Sequence, residues 1–336
     1  MKEQEQMQYN AGGNKKMYNM YILEILREYT DDEHSLTQQE ILKLLRENYG
    51  VECDRRSVKS NIEYLEGLGI EIDEEDGYRL LTRDFDDAEL RMLIESVLFS
   101  KTLSSTEAKR LVNKLSGLGS RYFTSRIGHI RSVSQFHHTD NKQVMITIDV
   151  LDEAIEKKKK IEFIYNSYGI DYKLHPRRPE PFKMNPYAIV ASNGMFYLIG
   201  NYDKYENLAH YRIDKMTGVR ILDEPVKDPK LVKGMEHGLN LPRHMAEHVY
   251  MFSGESVDVI LRTSVKSMDM LIDWFGKEFQ IVDKGEEEIK VRIHCNEQAM
   301  EYWALQYGKY VEVLEPETLR LKLRDDIKKM YEKYSS

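Results

Sequence analysis

Residues 54–82, "DRRSVKSNIEYLEGLGIEIDEEDGYRLLT", constrain this chain more than any other stretch. Val58, Ile62 and Leu65, with Leu68 following, recur at the spacing that buries one face of a helix. Asp54 stands at the N-cap position, and Gly67–Gly69 stop the segment. "IEIDEEDGYRLL" then alternates, breaks at Asp76-Gly77 and alternates again, which is the pattern of a hairpin. Upstream, "KKMYNMYILEILREYT" has apolar residues at helical spacing (Tyr18, Tyr21, Ile22, Ile25, Leu26). "SLTQQEILKLLRENYG" opens with Thr37 and Glu40, a capping box, and closes at Gly50. Three helices followed by a hairpin predict a winged helix-turn-helix over 16–82.

The start of the third helix carries Arg55, Arg56, Ser57, Lys59 and Ser60, mostly away from the apolar stripe. Cationic and hydroxyl side chains at this end of a recognition helix suit phosphates and base edges. The plainer alternative is a solvated helix face. Residues 1–82 hold 10 Lys and Arg against 18 Asp and Glu, so the basic residues are concentrated on one turn of an acidic module. Helix, wing and basic turn together favour contact with duplex DNA.

The chain has 336 residues, a net charge of -8 and 32% charged residues, which fits a multidomain globular protein. An acidic total argues against indiscriminate nucleic-acid binding, so DNA contact must come from local clusters. The polar start "MKEQEQMQYNAGGNKK" reads as disordered and not as a signal peptide, and no apolar run reaches membrane length. Cys53 and Cys295 form neither a disulfide framework nor a zinc motif. A cytoplasmic protein without a membrane partner is expected.

Residues 84–131 read as a helical linker, with Ser104 or Ser105 capping a helix before Glu107. From 101 to 131 seven basic residues (Lys101, Lys109, Arg110, Lys114, Arg121, Arg126, Arg131) face one acid, Glu107, and mating with a second subunit is favoured over contact with phosphates. Over 142–223 a short helix, "TIDVLDEAIEKKKK", precedes strand-like runs joined by turns at Asn193-Gly194 and Thr217-Gly218, the pattern of a small bent antiparallel barrel. Residues 224–250, with Pro225, Pro229 and Pro242, read as a crossing linker. Residues 255–335 alternate strands and helices as an α/β extension. The expected fold class is therefore α+β and multidomain.

Within the barrel, "LAHYRIDKM" puts Ala209, Tyr211 and Ile213 on one strand face and His210, Arg212 and Asp214 on the other. Lys215 joins the polar face only if the strand twists or ends there. A polar outer face with an internal Arg212–Asp214 neighbourhood is the plainer reading. "HMAEH" at 244–248 matches the H-x-x-E-H zinc pattern, with Glu247 as base. It follows Pro242 in a connection, and no third-ligand helix follows, so a chance match and no metal are expected. His137-His138 is weaker still. No P-loop, dinucleotide fingerprint or nucleophile elbow occurs, so neither enzyme activity nor a cofactor is expected. The "KKKK" at 157–160 reads as the solvated end of a helix, with the border of an anionic site as the alternative.

In order, these segments resemble the WYL-domain transcription regulators. Phe196-Tyr197-Leu198 stands where that family has Trp-Tyr-Leu, and "HYRIDKM" (210–216) stands in place of its Arg- and Asp-bearing strand. "CDRRSVKSNIEYLEGLGIEIDEEDGYRL" resembles its DNA-binding module, and "WALQYGKYVEVLEPETLRLKLRDDIKKMYEKY" resembles the end of its C-terminal extension. Phe196 replaces Trp, Lys215 replaces Arg, and Ala209 stands where Arg is frequent. The resemblance implies an Sm-like β-barrel over 142–223 that senses an effector, a nucleotide or single-stranded nucleic-acid fragment in some members. Tyr197, His210, Arg212 and Lys215 would line an effector site, with Arg177 and Arg178 of "HPRRPEP" as further donors.

The resulting expectation is a ligand-responsive homodimer that binds a double-stranded DNA operator. The alternative is an RNA or single-stranded nucleic-acid-binding protein whose barrel is the main site. Only "HMAEH" speaks for an enzyme.

Overall fold

The computed structural model describes residues 17–126, 139 and 141–335. The polar N-terminal start, Arg131 and His137-His138 lie outside the described residues. The chain is mixed α/β and divides into two units, 1–138 and 139–336.

In the first unit, α1 (Tyr18–Tyr29), α2 (Gln38–Tyr49) and α3 (Arg55–Gly67) precede a hairpin of β1 (Ile72–Asp73) and β2 (Arg79–Leu80). Both expected caps form. Thr37 accepts from the Glu40 backbone N–H while the Glu40 carboxylate reaches back to the Thr37 N–H. Asp54 accepts from the Ser57 N–H at 2.8 Å. Ile22, Leu26, Ile41, Leu45, Val58, Ile62, Leu65 and Leu80 make one core, each worth ~1.5–3 kcal/mol of burial. Leu68 is exposed, because α3 ends at Gly67 and the helical face ends with it. Then come α4 (Asp87–Phe99), α5 (Ser105–Ser116) and α6 (Arg121–Arg126), which share a smaller core of Leu90, Ile94, Val112 and Phe123. Ser104 is the cap of α5, in a box with Glu107.

The second unit opens with α7 (Val144–Glu156), β3 (Lys159–Tyr168), β4 (Leu174–Pro176), β5 (Phe182–Ser192), β6 (Met195–Asn201), β7 (Leu208–Arg212) and β8 (Met216–Pro225). The ladder runs β4-β3-β5-β6-β7, all antiparallel, and β8 also pairs with β3, which curls the sheet. Its concave side holds Phe163, Tyr165, Met184, Leu198, Ile213 and Met216, closed by Val144, Leu151 and Ala154 of α7. The β5–β6 hairpin turns at Asn193-Gly194 as expected.

Two sequence expectations are corrected here. Thr217-Gly218 is not a turn: the register slips by one residue between Glu162↔Arg220 and Ile164↔Thr217, and Gly218, at φ +61°, takes the left-handed position of a bulge inside β8. The chain passes from β7 to β8 earlier, through a 3-10 turn at Ile213–Lys215. The lysine run is a helix end only in part, because Lys157 is the C-cap of α7 while Lys159 and Lys160 belong to β3. There Lys159 pairs with Asp223 at 2.6 Å and Lys160 with Asp203 at 2.7 Å.

Residues 224–250 do more than cross. They include α8 (Leu241–Glu247), and Val232 and Met235, with Met251 just beyond them, pack on Val190, Ile199 and Leu208, on the face of β5–β7 opposite the concave core. The remainder is β9 (Ser256–Ser264), α9 (Met268–Phe275), β10 (Gln280–Lys284), β11 (Glu288–Asn296), α10 (Glu297–Gln306), β12 (Val311–Glu315) and α11 (Glu317–Tyr334). This β-α-β-β-α-β series forms an antiparallel sheet in the order β10-β11-β9-β12 over a core of Leu261, Phe275, Val291 and Trp303. Among the described residues no helix is long and apolar enough to cross a membrane.

Candidate functional site

The strand β7 carries the polar stripe singled out in the sequence. Its alternation is real: Ala209, Tyr211 and Ile213 join the concave core. His210 and Arg212 lie on the other face, opposite Ile199 and Tyr197 of β6. The stripe does not form one surface, however. It divides into a cationic half around Arg212 and a histidine half around His210.

In the cationic half, Arg212 donates from Nε and Nη2 to the two carboxylate oxygens of Asp214, at 3.0 and 2.8 Å. The Asp214 side chain is 2% exposed and that of Arg212 28%. Arg212 Nη1 makes no hydrogen bond among the described residues. The strand ends at Arg212, so alternation ends too, and Lys215 on the 3-10 turn comes within electrostatic range of Arg212 and Arg177. Burial, and then the Arg212 charge, lowers the Lys215 pKa. Burial also works against the charge on Arg212, but its bonds to Asp214 and the Asp214 charge more than offset this and hold its pKa up. Arg177 lies over the Tyr165 ring, 4.9 Å from its centroid, and the Tyr165 hydroxyl accepts from the Arg212 backbone N–H at 3.4 Å.

Tyr197 is partly buried against the Val190, Ile199 and Leu208 cluster, and burial raises its pKa. The site thus gathers Arg177, Arg212 and Lys215 about two tyrosines, with one buried carboxylate. Arg178 is engaged elsewhere: it stacks on Phe182 at 3.6 Å and donates to the carbonyls of Glu180 and Pro181.

Sequence reasoning missed what holds this turn. Buried Asn141 donates to the carbonyls of Asp214 and Met216 at 3.0 and 2.9 Å. Asn166 donates to the Lys215 carbonyl at 2.9 Å. Tyr165 was likewise missed. An Asn or Tyr in a strand has no local signal of such a role.

In the histidine half, His210 Nε2 lies 2.8 Å from His244 Nε2, and both rings stand against His248, with centroids 4.5–5.0 Å apart. Burial, reinforced by the neighbouring imidazoles, lowers the pKa of His210 to about 2, and burial lowers that of His244 to about 4. The expected grouping of His210 with Tyr197 and Arg212 is therefore not what the structure makes, because α8 folds back over β7 and engages the ring.

On α3, Arg55, Arg56, Lys59 and Ser60 are exposed and Ser57 half-buried, while Val58, Ile62 and Leu65 point into the core. Arg55 and Arg56 are in no ion pair among the described residues. Lys59 lies 3.9 Å from Glu63. The α3 turn therefore presents two guanidiniums without an ion pair to solvent, with the Asp54 cap near Arg56.

Residues 147–221 match the family model described as WYL domain, and residues 255–331 match the one described as WCX domain. No curated protein matches the chain. Similar solved structures include proteasome accessory factor B/C of Arthrobacter aurescens, at 15% identity and a TM-score of 0.32, over 96% of this chain and 49% of that one. A CRISPR Cas-related protein is similar at 16% identity and a TM-score of 0.40, over 99% of this chain and 90% of that one. The chain thus spans about half the length of the first of these.

Proposed function

We propose that this chain, which carries matches to the WYL and WCX domain models, is a transcriptional regulator of the WYL-domain family that binds double-stranded operator DNA through α3 and reads an anionic effector at the Arg212 site. The observation that carries the DNA reading is the exposed, unpaired Arg55 and Arg56 on the first turn of a helix anchored by Asp54. In this reading α1–α3 and the β1–β2 hairpin are a winged helix-turn-helix, and α3 is its reading helix. Base contact by an arginine is bidentate, and both guanidiniums are free to make it.

The effector reading rests on partly buried Arg212 and Lys215, with exposed Arg177 beside them, in one neighbourhood with Tyr165 and Tyr197. Cations that are half out of water bind phosphate more strongly than solvated ones, and an aromatic face accepts a base. The curled sheet with α7 would be an Sm-like barrel, and the effector a nucleotide or a short single-stranded nucleic acid. The effector acts only by favouring one arrangement of the protein over another, since equal affinity for both shifts nothing. A homodimer would present two reading helices to the operator in place of one.

The test is selection of genomic fragments by purified protein, with and without short oligonucleotides. Enrichment of one duplex sequence, altered by the oligonucleotide, supports the reading. Tight binding of single strands without duplex discrimination supports the barrel-centred alternative instead. Sedimentation at micromolar concentration tests the dimer.

A further inference from the structure

The three histidines are buried together and nothing in the regulatory reading uses them. His210 comes from β7, His244 from α8 and His248 from the residue that ends it. Positions i and i+4 of a helix share a face, so His244 and His248 present their rings side by side. Asn240 caps α8, accepting from the Arg243 N–H at 3.2 Å. The chain beyond α8 is tied down where Ser253 Oγ accepts from the His210 backbone N–H at 3.1 Å. That return brings α8 onto β7 and places one ligand nitrogen from each ring within 4.8 Å of the others.

We propose that His210, His244 and His248 form a binding site for one divalent ion of the zinc class. Imidazole nitrogen is a preferred donor for such ions, and three histidines with an open fourth position make a complete protein ligand set. Two nitrogens on one tetrahedral zinc, each ~2.0–2.1 Å from it, sit ~3.3–3.4 Å apart. The 2.8 Å between His210 Nε2 and His244 Nε2 needs to open by ~0.5–0.6 Å to admit the ion, and the wider separations, up to 4.8 Å, need to close.

The supporting shell is also present. His248 Nδ1 donates to the Phe252 carbonyl at 3.0 Å, which fixes the tautomer and turns the Nε2 lone pair toward the cluster. His244 and His248 line a cavity of about 820 Å³ whose walls include Glu236, Glu247 and Glu255, so a cation has a route in.

Arg243 Nε donates to Glu247 Oε1 at 2.7 Å, beside the two α8 histidines. A bound ion would fasten α8 to β7 two residues from Arg212, giving the barrel a metal input separate from its effector. This inference stands without the proposed function, because it concerns only atoms inside the second unit.

The experiment uses the full chain, stripped with a chelator and titrated with Zn²⁺ alone and with Co²⁺ alone. One ion per chain, a tetrahedral Co²⁺ absorption band, and a Zn²⁺ affinity more than about tenfold weaker in both His244→Gln and His248→Gln would support the site. Circular dichroism of each variant shows whether it is folded, and the Co²⁺ band of the wild-type chain is informative without any variant. Absence of stoichiometric binding by the wild-type chain overturns the proposal. So does unchanged affinity in folded variants.

Discussion

Tyr197 on β6 is the direct register partner of Arg212 on β7, and Arg212 clamps the buried Asp214 with two hydrogen bonds. Arg212, itself 28% exposed, thus holds a carboxylate that is 2% exposed, with Tyr197 within electrostatic range. Its role in the turn and its proposed role toward an anion are joined, and they must be separated by experiment.

Arg212→Ala leaves Asp214 buried without its partner, and should cost about 1–3 kcal/mol by denaturant unfolding. Adding Asp214→Asn should recover part of that loss. If effector response stays absent in the restabilised double variant, Arg212 is a contact; a normal response would place the effector elsewhere. Arg212→Lys should retain charge and still respond poorly, since an ammonium cannot form the two-pronged clamp.

Arg55→Ala with Arg56→Ala should leave the melting temperature unchanged, as both side chains are exposed and unpaired. An arginine that reads a base should take ~1–3 kcal/mol of duplex affinity with it when removed, whereas one that meets a phosphate should lower the salt slope by about 1. Fluorescence anisotropy on a selected operator across a salt series measures both. Full affinity in the double variant would remove α3 as the reading helix.

Acid should weaken the first unit through Asp31. This buried carboxylate accepts from His34 Nδ1 at 2.6 Å, the Glu33 N–H at 3.0 Å and Arg126 Nη2 at 2.9 Å. Burial alone would raise its pKa, but these donors outweigh burial and hold it below the ordinary 3.8. A depressed pKa stabilises the fold above the unfolded value, and that stability is lost as pH falls through the folded value. Unfolding of the chain below about pH 4 should therefore lose part of its pH dependence in Asp31→Asn. Identical acid limbs in the two proteins would refute this.

Gly200→Ala should destabilise the curled sheet. An added Cβ would lie 2.5 Å from the Asn185 carbonyl oxygen and 2.5 Å from Met184 Cε. Met184 can shift, but the β5 backbone cannot do so without breaking its ladder, so a loss of about 1–3 kcal/mol is expected. Denaturant melts compared with Gly194→Ala, in the β5–β6 turn, would show whether close approach or turn strain dominates.

The amino-acid sequence alone determined what local chemistry decides. The Thr37–Glu40 box, the Asp54 cap, the Ser104 cap and the buried Val58, Ile62 and Leu65 depend on neighbours within about one helical turn, so their spacing is enough to read them. The alternation of β7 was legible for the same reason. Only the tertiary structure decided which partner each exposed-face side chain would meet. "HMAEH" reads as a chance match so long as a third ligand is sought in a helix after it; the third imidazole comes from His210, on a strand 34 residues earlier. Lys215 reaches Arg212 and Arg177 because the strand ends in a 3-10 turn, and that ending depends on Asn141 and Asn166 bonding to distant carbonyls. Caps and periodicities are short-range energies written along the chain. Side-chain constellations come from chain segments brought together by burial of other residues, and no spacing within the sequence encodes that distance.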